Sequence, residues 1–171
     1  MNERLVPSEG EYGEFYETYI SKVRGRDLDA LMLSQVEDLR QYFEGMKEEQ
    51  AAQSYEEGKW SLKELIGHIN DTEKVMLYRA LCIARGEKQS LPSMDQEEYV
   101  AKGNFNDQPL ALLLEDFELT RFVIRNFFRS LSPDALTYTG SANGYTTSVR
   151  ALMNIIPGHF LHHMQILKER Y

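Results

Sequence analysis

Residues 60–86 read WSLKELIGHINDTEKVMLYRALCIARG, and the fold is decided there. Leu65, Ile69, Met76, Ala80 and Ile83 recur at steps of three, four and seven, the spacing that places side chains on one face of an α-helix. A start signal precedes them: Ser61 and Glu64 form a capping-box pattern in which each side chain can satisfy the other's free backbone amide. Gly86 marks the stop. A helix with one long apolar face must bury that face against other helices.

Three more stripes of the same period supply the partners. Upstream, Leu28, Leu31, Met32, Val36, Leu39, Phe43 and Met46 follow a Gly25-Arg26-Asp27 turn in which Asp27 can cap, and the stripe ends near Gly45. Downstream, Pro109 suits a first helical turn, and Leu110, Leu113, Leu114, Phe117, Ile124 and Phe128 continue until Ser132 and Pro133. The last stripe, Val149, Leu152, Met153, Ile156, Phe160 and Leu167, follows a polar, glycine-containing loop over 137–147. Pro157 and Gly158 lie inside it, so a kink or short break is expected just before His159. Strand-like alternation is scarce, and the fold class is all-α: a four-helix bundle over 28–171, preceded by an N-terminal helical extension over 1–27 with aromatic residues at Tyr12, Phe15, Tyr16 and Tyr19.

Two connections, 47–59 and 87–106, are long for a bundle. The stretch from Leu91 to Gln96 with Tyr99 reads either as a lid over a site or as a plain crossover.

The chain has 171 residues, enough for one domain, and 27 acidic residues against 19 lysines and arginines. The net charge of -8 and the lack of a basic patch disfavour a nucleic-acid partner. No apolar run approaches the length that crosses a bilayer, and the N-terminus has no secretory h-region, so the expected location is the cytoplasm. Cys82 is the only cysteine, which excludes an internal disulfide and a thiolate cluster. It falls off the apolar stripe and reads as inert.

Any metal must then use histidine, carboxylate or water. His159 and His163 fall about 40° apart on a helical wheel, on the apolar side, whereas His162 points well outside. An inward imidazole must find a hydrogen-bond partner or a metal for its polar nitrogens. One i, i+4 pair is weak evidence for a metal. His68, at the edge of the stripe quoted above, strengthens it, because a helix facing the last one can aim His68 at the same point. Three histidines leave a coordination position open.

Glu73 shares the inward face with Ile69 and Met76. It reads as an anchor for a metal-bound histidine, as a general base, or, the favoured reading, as half of a buried ion pair with Arg121. Asp71 rotates outward and reads as a solvated helix acid. Trp60 reads as packing the start of its helix.

The stretch 58–73, GKWSLKELIGHINDTE, and the stretch 158–163, GHFLHH, together resemble the DinB-like superfamily, including its YfiT-type metal-dependent members. The resemblance covers about residue 28 to the end, including 91–104. It implies a four-helix bundle with a long crossover, often homodimeric, and a divalent metal, zinc or nickel, on His68, His159 and His163. It also implies a small-molecule substrate and a transferase or hydrolase activity that can draw on a low-molecular-weight thiol cosubstrate. The competing expectation is a noncatalytic module in which the metal stabilises the bundle and the surface binds a partner during stress.

Overall fold

The computed structural model describes residues 5–171. Four long helices form the bundle: α2 (Leu28–Phe43), α4 (Leu62–Ala84), α6 (Leu110–Arg129) and α7 (Val149–Arg170), accompanied by the shorter α1 (Glu17–Val23), α3 (Glu48–Ala51) and α5 (Gln96–Gly103). The expected caps are in place. Asp27 accepts from the Ala30 amide at the start of α2, and Ser61 and Glu64 exchange hydrogen bonds at the start of α4. Glu48 accepts from the Leu110 amide and pairs with the buried Lys63, so a carboxylate occupies the positive end of the α6 dipole.

Each of α4 and α2 packs against both α6 and α7, which makes α2 and α4 diagonal partners. Polar contacts give the directions. Lys63 reaches the Gln108 carbonyl, Asn70 the Leu113 carbonyl and Glu73 meets Arg121, so α4 and α6 run parallel. Asp29 meets Arg125 and Arg40 meets Glu118, so α2 opposes α6. Parallel neighbours cannot be joined by a tight turn. The 85–109 connection therefore returns the chain along the whole of α4, whose 23 residues span about 34 Å.

The polar loop expected over 137–147 is a β-hairpin instead, with β1 (Thr139–Ala142) paired antiparallel to β2 (Tyr145–Ser148). Its turn is Asn143-Gly144, both at positive φ, the pair that two-residue hairpins favour because their twist matches that of the strands. Leu91 donates to the Ser141 carbonyl and accepts from the Asn143 amide, fastening the return segment to the hairpin.

The break expected at Pro157 does not occur, since α7 is helical from Val149 to Arg170. Neighbouring helices hold it. Gln35 of α2 donates to the Pro157 carbonyl at 2.9 Å, and α1 lies so close that a Cβ on Gly158 would stand 2.2 Å from the Tyr19 carbonyl oxygen. Ile20 and Val23 of α1 are buried in the same apolar cluster as Met32, Ile83 and Ile155. A second cluster, with Phe117 and Phe160 stacked at its centre, fills the other end of the bundle.

Candidate metal centre

Two of the polar clusters buried in the bundle bear on the site. One is a chain of charges and amides: Arg121 donates to Glu73 at 2.6 Å and to Gln35 at 2.6 Å, and Gln35 passes the link to Pro157. The Arg121 guanidinium also lies over the rings of Phe117 and Phe160, at 4.9 and 5.2 Å. Glu73 thus has the Arg121 partner that its inward position requires. Burial pushes its carboxyl up to about 7, against the pull of Arg121.

The other group is the three histidines. The antiparallel α4 and α7 bring His68 to His159 and His163, and their Nε2 atoms converge. His68 Nε2 is 3.2 Å from His159 Nε2, and His163 Nε2 is 2.9 Å from His159 Nε2. All three rings are buried. His162 lies outside the cluster, its ring tilted against Tyr19. Asp71 is also outside the group.

Burial lowers the pKa of each ring, to about 4 for His68, to about 2 for His163, and well below the usual value for His159, with the neighbouring imidazoles adding to the effect. The rings are therefore neutral near pH 7. A neutral imidazole nitrogen either donates once or accepts once, so His159 Nε2, in contact with two others, can satisfy only one of them. Adding protons is blocked by burial. Three lone pairs aimed at one point fit a divalent cation, which accepts all three at once, and the observed nitrogen spacings are near the roughly 3.0–3.4 Å expected for ligands about 2.1 Å from one ion. This three-histidine group could hold a metal ion.

Thr72 Oγ1 stands 3.5 Å from His68 Nδ1, while Nδ1 of His159 and of His163 has no hydrogen-bond partner among the described residues. Aromatic walls flank the rings. The Tyr19 ring meets His159 edge-on at 5.3 Å, and the Trp60 ring lies 4.8 Å from His68. The sequence signal for Tyr19 is the aromatic cluster it belongs to, and Trp60, just before the N-cap of α4, reads there as a packing residue only. Trp60, Glu97 and Tyr171 line a cleft of about 260 Å³ that reaches His163. On the other side, a cleft of about 120 Å³ reaches His68 and His159, and Met94 and Gln96 of the return segment line it.

The DinB superfamily matches this sequence over residues 33–167, and the chain belongs to that superfamily. A curated relative from Oceanobacillus iheyensis, named "putative metal-dependent hydrolase", is 28% identical over 61 residues, which is 36% of this chain and 35% of that protein. The chain thus aligns with about a third of that relative's length. Among solved structures, YfiT from Bacillus subtilis, described as "a probable metal-dependent hydrolase with an unusual four-helix bundle topology", superposes with a TM-score of 0.75 at 14% identity, covering 95% of this chain and 89% of that one. A mycothiol-dependent maleylpyruvate isomerase superposes with a TM-score of 0.65 at 16% identity, covering 80% of this chain and 58% of that one. At such identities the likeness is one of fold, and it is the four-helix bundle found here. Among the described residues no helix is long and apolar enough to cross a membrane.

Proposed function

We propose that the chain is a metal-dependent enzyme acting on small molecules, a hydrolase or a thiol-dependent S-transferase, with the ion held by His68, His159 and His163. One observation carries the reading: three buried, neutral imidazoles turn their Nε2 atoms to a common point where hydrogen bonding alone leaves one nitrogen unsatisfied. A divalent ion bound there, zinc or nickel, supplies Lewis acidity that brings the pKa of a bound water or thiol toward neutrality.

The chain's own residues do the rest. α4 and α7 fix the imidazoles before any ligand arrives, with the Gln35 link to Pro157 holding the turn that precedes His159. Tyr19 and Trp60 exclude water from two sides of the rings. The clefts beside His163 and beside His68 provide room for a small substrate and, for the transferase, a low-molecular-weight thiol. The homodimer belongs to the same proposal. Its support is an exposed apolar stripe on α6, Leu112, Leu119, Phe122 and Val123, and a sedimentation mass of 19.9 kDa at micromolar concentration would overturn it.

Elemental analysis of protein purified without a histidine tag tests the centre. Near-stoichiometric zinc or nickel is expected, with little in His163→Ala, and a metal-free wild type refutes the proposal. A screen of thiol conjugation and ester hydrolysis on the loaded protein then separates transferase from hydrolase.

A further inference from the structure

Among the described residues the buried cations are Arg121, Lys63 and Arg79, and the first two are neutralised, by Glu73 and Glu48. The half-buried Arg125 and Arg150 pair with Asp29 and Glu11. Arg79, on α4, is the exception. It is 4% exposed, yet no carboxylate among the described residues pairs with it. Its Nη2 donates to the Pro92 carbonyl at 2.7 Å, its Nη1 stands 3.8 Å from the Met76 sulfur, and its Nε has no partner. Burying a charge without a counter-ion opposes folding, so a built position of this kind calls for an anion from outside.

The place of Arg79 says which anion. It lines the cleft of about 120 Å³ that also touches His68 and His159. Eleven residues separate it from His68, which puts both at nearly the same azimuth of α4 and about 16 Å apart along its axis. The contact with Met76, one turn back, shows the guanidinium folded toward the histidines, which shortens the separation to the order of 10 Å. One wall between them is aromatic and apolar, with Phe15, Tyr16, Tyr19 and Met94, while Thr72, Gln96 and Asn143 add polar groups to the lining. On a chain with a net charge of -8, one buried cation favours a singly charged anion over a multiply charged one.

We propose that Arg79 receives the carboxylate of a small organic acid whose apolar body lies along the cleft toward His68 and His159. A planar guanidinium edge matches the two oxygens of a carboxylate, which makes Arg79 a specificity-determining residue. The direction of the acid's other end, toward the imidazoles, rests on the proposed metal centre, whereas the carboxylate contact does not.

Calorimetric titration with phenylacetate and 3-phenylpropanoate, each beside its neutral amide, tests this on the metal-loaded and on the chelator-treated protein. The acids are expected to bind at least tenfold more tightly than the amides, and Arg79→Met is expected to bring that ratio to about one with its metal content unchanged. Should Arg79→Met fail to give a cooperative melt, Arg79→Gln, which keeps a donor for the Pro92 carbonyl, gives the same reading. Equal binding of acid and amide, no binding of either, or a ratio untouched by the substitution overturns the proposal. Displacement of the acids by inorganic phosphate at lower concentration overturns the choice of carboxylate. Acid selectivity that persists in a protein found to hold no metal would refute the metal centre and leave Arg79 in its role. A metal-bearing protein without acid selectivity does the reverse.

Discussion

The chain from Glu73 through Arg121 to Gln35 and the histidine trio are both buried in the bundle, yet only the first is closed by an ion pair. Arg121 neutralises Glu73 and lies over the faces of Phe117 and Phe160, although Glu73 Oε2 and Arg121 Nε have no hydrogen-bond partner among the described residues. The histidines instead present acceptors to one another, and two of their Nδ1 atoms have no partner among the described residues. A buried ion pair that neutralises itself is accounted for within the fold. Three neutral nitrogens that meet at one point with more contacts than they have protons to share point to a missing ligand.

If that contrast holds, breaking the closed group should cost the most. Arg121→Met leaves Glu73 buried without its cation, and a loss of about 3–5 kcal/mol in urea unfolding is expected, while the Glu73→Leu, Arg121→Met double variant recovers most of it. A double variant no more stable than the single one would show that the pair is not a unit. The open group should respond to metal instead. Chelation is expected to lower the unfolding free energy by about 3–4 kcal/mol from its value at a metal concentration 100 to 1,000 times Kd, and His163→Ala should be indifferent to chelator.

The smallest effect sharpens the comparison through pH. In the metal-free protein His163 is held down to about 2 by burial, below its unfolded value of 6.5. Its neutral form therefore stabilises the fold above pH 6.5, and this contribution is lost as pH falls, because the unfolded chain takes up a proton that the folded one refuses. Between pH 7 and pH 6 the metal-free wild type should lose about 0.7 kcal/mol more than metal-free His163→Ala. Equal slopes would mean that His163 is not held neutral by the fold.

The sequence announced the long helices through period alone, and the histidine trio through an i, i+4 pair joined by one histidine on a facing stripe. What it hid depended on long-range partners. Pro157 reads as a helix break, yet α7 continues through it, bonded to Gln35 of α2 and packed on α1 at Gly158, contacts that only the folded chain supplies. The hairpin was legible in Asn143-Gly144 but was outweighed by the polarity of its flanks. Arg79 shares an azimuth with His68, a relation visible on a helical wheel. That it has no counter-ion is a fact about the other helices, which no reading of α4 alone supplies.

The parallel course of α4 and α6 has a consequence for how such a site arises. An antiparallel pair joined by a short turn would build the same core and aim the same three rings, but the face beside His68 would stand open to bulk water. Because the two helices point the same way, the polypeptide has to make an outside detour, and that detour brings Met94 and Gln96 over the imidazoles. That wall of the cleft is thus a by-product of chain routing.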